Sequence, residues 1–153
     1  MRQLPLALGA AVLVACTPAP KPAAEPPAPP PPPPAPAPIN LADVAGKWTV
    51  RNMPETGDSV LVTYSMTATA ADSGWMVTLP NRKPMALHVT TSGDSVMTKL
   101  DPFESVLRKG VKVTTEGVFH LRDGKLMGTT VAHYTTAKSD SVLRMRTEGT
   151  RTP

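Results

Sequence analysis

Thirteen of the chain's 19 prolines fall between positions 18 and 38, and this crowding decides where a fold can begin. Proline fixes φ and lacks an amide hydrogen. A segment that is Pro, Ala and little else, with an unbroken run from Pro29 to Pro34, therefore joins neither helix nor sheet. Residues 16–38 are expected to be a disordered, extended stalk. About 22 residues at ~3.1 Å each reach up to ~70 Å. Such a tract can also serve as a ligand for a Pro-binding domain, but without basic flanks it reads as a spacer. Any packed domain is confined to residues 39–153, enough for one core.

The N-terminus reads as an address. Met1 and Arg2 precede a short apolar run from Leu4 to Ala15 that ends in small residues, as a signal peptide over 1–15 does. That run falls well below the roughly 20 residues needed to span a bilayer as a helix. Leu13-Val14-Ala15-Cys16 resembles the lipobox of bacterial lipoproteins. The resemblance implies acylation of Cys16 and membrane attachment through its acyl chains, each buried methylene contributing about 0.8 kcal/mol. Thr17 stands where an aspartate would favour the inner membrane, so the resemblance leans toward the outer membrane, facing the periplasm. Ordinary secretion with cleavage nearby is the alternative. Cys16 is the only cysteine, which excludes an internal disulfide, a multi-thiolate zinc site and, once it is acylated, thiol catalysis.

Two of the 16 Lys/Arg and one of the 12 Asp/Glu precede Ile39, leaving 14 against 11 in the domain, a balance unlike that of a nucleic-acid binder. Its apolar residues alternate. Val60, Val62, Tyr64 and Met66, then Trp75, Val77 and Leu79, then Met85, Leu87 and Val89 recur at period two, as half-buried antiparallel strands require. Gly57-Asp58-Ser59-Val60, Gly93-Asp94-Ser95-Val96 and Ser139-Asp140-Ser141-Val142 repeat one turn phrase. Asp123-Gly124 supplies the positive φ pair of a two-residue hairpin, which pairs Phe119-His120-Leu121 with Leu126-Met127-Gly128.

Strands are predicted near 47–53, 59–69, 74–79, 85–91, 95–100, 111–121, 125–136 and 141–149. Eight sequential strands with short turns are best served by closing the sheet, which removes both edges. The fold class is therefore all-β, an eight-stranded antiparallel up-and-down barrel, with a two-sheet sandwich as the rival. Asp101-Pro102-Phe103-Glu104 offers an N-cap, proline at the first helical position and a first-turn acid. These signals predict one short helix near 102–109, or else a plain loop.

Candidate chemistry is sparse. His88, His120 and His133 are the only imidazoles, but their spacing is no local metal motif. No metal or other cofactor is expected, and Asp101 and Glu104 are explained by capping rather than acid–base catalysis. Seven methionines from Met53 to Met145 outnumber the domain's six aromatics. Tyr64, Met66, Met85 and Met145 are candidate linings for an adaptable apolar interior, unless they are simple core filler. Arg82, Lys83 and Arg108 are candidates for a basic rim, or for ordinary solvated turn charges.

Gly46-Lys47-Trp48 opens the first strand and is similar to the Gly-x-Trp of lipocalin-like (calycin) barrels. That resemblance implies a tryptophan closing the narrow end with a basic residue of the last strand across it. Arg144, Arg146 and Arg151 are the candidates, with Arg146 and Arg151 favoured. The Thr-Asp-Tyr motif of classical lipocalins is absent. The expected function is a lipid-anchored, non-catalytic envelope barrel holding a small apolar or amphipathic ligand. A stalked module that meets an envelope protein or cell-wall polymer, as an assembly factor or inhibitor, is the alternative.

Overall fold

The computed structural model describes residues 30, 32, 34, 36–136 and 140–153. The expected signal peptide, Cys16, most of the stalk and Ser139 of the third turn phrase lie outside the described residues. The folded body, Pro34–Pro153, is a nearly closed, all-antiparallel up-and-down barrel. A short helix α1 (Leu41–Val44) leads into β1 (Gly46–Pro54), β2 (Val62–Ala68), β3 (Met76–Thr78), β4 (Met85–Ala86) and β5 (His88–Ser92). Then follow β6 (Ser95–Glu104), β7 (Lys112–Arg122), β8 (Lys125–Tyr134) and β9 (Val142–Arg151).

The sheet order β4-β3-β2-β1-β9-β8-β7-β6-β5 explains why nine strands replace the expected eight. The segment predicted at 85–91 serves two neighbours. Its first half pairs with β3 and its second with β6, while Leu87 between them donates to the Trp75 carbonyl at 2.9 Å. The two outer members of the sheet are thus consecutive pieces of one segment, so the sheet curls round to meet itself there. The Asp-Gly hairpin has the expected register, with Leu121 opposite Leu126 and φ values of 50° and 74° at Asp123 and Gly124. β2 begins at Val62 rather than 59, and in the loop before it Asp58 accepts from the Arg146 guanidinium at 2.7 Å.

No helix forms over 102–109. The signals read as a cap and first turn belong to the end of β6, where the register with β7 shifts between Leu100 and Phe103. Proline is tolerated in such a bulge because no ladder amide is needed there. Asp101 faces His88 at 3.1 Å instead of capping. Ser105 Oγ accepts the amides of Leu107 and Arg108, both at 3.0 Å, and so closes the turn that follows. The helix that does form is α1, where Asn40 Oδ1 accepts from the Ala42 amide at 3.0 Å.

One end of the barrel is plugged. Trp48 and Val44 are fully buried, and the indole N–H of Trp48 donates to the Val44 carbonyl at 2.8 Å. Trp75, Val96 and Leu126 pack into the same core cluster. The chain enters the barrel at this end, where the Ile39 amide donates to the Gly93 carbonyl at 2.8 Å. At the other end stand the loops 55–61, 79–84 and 105–111, with residues 135–136 and 140–141, over a second small core of Val113, Ala132, Tyr134 and Met145.

Candidate functional site

Inward-facing positions leave a cavity of about 60 Å³ that reaches the loop 105–111. Its wall takes Asn52 from β1, Val62, Tyr64 and Met66 from β2, and Thr98 and Leu100 from β6. Thr115 and Phe119 come from β7, Thr130 and Tyr134 from β8, and Met145 from β9. Val106 and Leu107 line it from the loop and are also partly exposed. None of the described residues lining the cavity is charged. A water needs roughly 10–15 Å³ of such space, so the cavity holds a few waters or the end of a short chain. It is smaller than the roughly 300 Å³ of a site that engulfs a drug-sized molecule.

Three of the four candidate lining residues, Tyr64, Met66 and Met145, stand in this wall. Met85 does not. It shares the inward phase of Val77, its partner in register, but only packs against the core from the side, and Leu87 takes the place at the wall.

A layer of polar side chains crosses the interior. The Thr147 hydroxyl donates to Asn52 Oδ1 at 2.9 Å, so Thr130 is the donor in its 2.8 Å contact with Thr147. Tyr64 is hydrogen-bonded to both Asn52 and Thr130. Together with the contacts of Thr147 to Thr130 and Asn52, this closes a ring of four side chains. Such a ring satisfies groups that would each cost about 1–3 kcal/mol if buried without a partner. Burial pushes the Tyr64 hydroxyl far above its ordinary value of 10.0, outweighing its hydrogen bonds to Asn52 and Thr130.

Because the pKa of Tyr64 is raised in the fold, its neutral form adds no pH dependence below the unfolded value of 10.0. Above that value the unfolded chain ionises while the barrel does not, and stability falls as pH rises. Denaturant unfolding followed from about pH 9 upward is expected to show this loss, and Tyr64→Phe to show a shallower one. An equal slope in both proteins would contradict the burial of this hydroxyl.

At the plugged end, the Arg151 guanidinium lies 4.5 Å from the Trp48 ring centroid. It donates to the Ala45 carbonyl at 2.8 Å and to that of Asp43, tying α1 down. Arg146 is not at this end. Residues five apart on a strand point to opposite faces. Arg146 accordingly lies outside, on Met53 and paired with Asp58 at 2.7 Å. The same parity excludes Arg144 from the interior.

The basic rim is largely engaged. Arg108 stacks over the Tyr134 ring at 4.0 Å and pairs with Asp140 at 3.1 Å, while Arg82 lies 3.9 Å from Glu104. Lys83 is exposed. The three histidines sit on the outer face of different strands: His88 is with Asp101, His120 is 3.3 Å from Asp94, and His133 faces out from β8. The Arg122 guanidinium beside Asp94 holds that carboxyl below its usual range. A shallow groove on the outer wall is bordered by His88, Met97, Lys99, Glu116 and Val118, and shares Thr98 and Gly117 with the cavity wall.

Comparison with models of known protein families, with curated proteins and with solved structures returns no match for this chain.

Proposed function

We propose that this protein is an envelope lipoprotein, held through acyl groups on Cys16, whose barrel takes up one small apolar or amphipathic ligand without covalent chemistry. The observation that carries this reading is the uncharged cavity on the far side of the barrel from the point where the chain enters. Met66 and Met145 supply flexible, polarizable wall that fits varied shapes. The likeness to lipocalin-like barrels gains support from Arg151 lying over Trp48, a contact worth about 0.5–2 kcal/mol. An outer-membrane, periplasm-facing location follows from the lipobox reading of Leu13-Val14-Ala15-Cys16-Thr17.

One observation favours a second reading, an interaction module without a ligand. Val60, Leu61, Val106, Leu107 and Val142 are exposed around the same end and offer an apolar surface to an envelope protein or cell-wall polymer. Native mass spectrometry of the intact protein extracted from its own envelope separates the two. A reproducible small-molecule adduct, one per chain, together with acyl mass on Cys16, is the expected result. A bare chain that stays bare when envelope lipids are added would favour the interaction module, and an unmodified Cys16 would contradict the anchor.

A further inference from the structure

We propose that the cavity selects an electrically neutral ligand bearing one hydrogen-bonding group, and that Thr98 receives that group. This rests on the ligand-binding reading above and narrows it to a chemical class. No charged side chain lines the cavity among the described residues, so an ion drawn inside would lose its water without a counter-charge. The nearest candidate cation, Arg108, is held at the rim by Asp140 and the Tyr134 ring.

The polar groups of the wall are mostly used within the fold. Asn52, Tyr64 and Thr130 close their ring through Thr147, and Ser105 Oγ accepts two amides of its own loop. Thr98 differs. It is 8% exposed and lines the cavity, and its hydroxyl has no hydrogen-bond partner among the described residues. Gly117 stands directly opposite it in register, and a Cβ there would lie 2.7 Å from Thr98 Oγ1 and 2.6 Å from the Phe119 ring. Glycine at that position leaves the Thr98 oxygen clear of its cross-strand neighbour and beside an aromatic edge. A hydroxyl in such a place is satisfied by a trapped water or by a ligand oxygen, and a ligand that supplies the oxygen gains over one that is purely apolar.

Calorimetric titration of the intact protein with n-hexanol, n-hexane and hexanoate tests this. The neutral alcohol is expected to bind at least about tenfold more tightly than the carboxylate. Thr98→Val is expected to weaken the alcohol about 3- to 10-fold and leave n-hexane unchanged, with Thr98→Ser restoring the alcohol. The Ser variant also guards against misreading a folding defect. Binding of all three probes with equal affinity, unaltered by Thr98→Val, would overturn the selectivity while leaving a general apolar cavity standing. Failure of every probe to bind would overturn the cavity reading as well.

Discussion

Trp48→Ala is expected to remove about 3–5 kcal/mol of folding stability, the largest loss from any single side-chain truncation in this barrel. The indole is fully buried, and its N–H is the partner of the Val44 carbonyl at 2.8 Å. Alanine would leave a void between α1 and the sheet and a buried carbonyl without its donor. It would also leave the Arg151 guanidinium without the ring it lies over at 4.5 Å. A helix of four residues has no stability of its own, so α1 would be released and the plugged end opened. Chemical denaturation checks this. A loss under about 1 kcal/mol would show that the end is closed by something else.

Gly128→Ala is expected to be as damaging for a different reason. A Cβ at Gly128 would fall 1.9 Å from the Val118 carbonyl oxygen and 2.9 Å from Phe119 Cα, both backbone atoms of the neighbouring strand. No rotamer change relieves a clash with backbone, so β7 and β8 would have to part at the middle of their ladder. A cost of about 3 kcal/mol or more is expected, visible as a lowered melting temperature or loss of soluble protein. Gly149→Ala is the control. The nearest atom its Cβ would meet is the Leu126 Cβ at 3.0 Å, which a shift of a few tenths of an ångström relieves, so the cost should stay under about 1.5 kcal/mol. Similar behaviour of the two variants would contradict the register of β7 with β8.

The strands were legible because each carries its own period-two pattern, and the Asp123-Gly124 hairpin because its turn demands those residues. The division of 85–91 at Leu87 was not, since a strand that changes partners keeps its alternation and signals nothing locally. Pro102 misled because proline suits both the first turn of a helix and a bulge, and only the pairing of β6 with β7 distinguishes them. Helix α1 is too short for any periodicity, although Asn40 before Leu41 is a capping signal.

The polar interior was recoverable from parity. Asn52 is in phase with Trp48 and Val50, Thr98 with Val96 and Leu100, and Thr147 with Met145. Polar type argued for the outer face at each of these positions, and the phase of the strand overrode it. The same count puts Arg151 in the inward phase, where it lies over Trp48, and Arg146 in the outward one. The cavity itself follows from how far Met66, Phe119 and Met145 fill the barrel, which composition does not reveal.

The central claim is that a ligand enters the barrel and contacts its inner wall. Solution NMR of the intact protein with isotope-labelled methionine methyls, titrated with n-hexanol, tests it most directly. Met66 and Met145 line the cavity, whereas Met97 borders the outer groove. The account predicts saturable shifts and direct through-space contacts from the alcohol to the methyls of Met66 and Met145, with Met97 unmoved. Shifts at Met97 alone, with Met66 and Met145 unchanged to saturation, would contradict it.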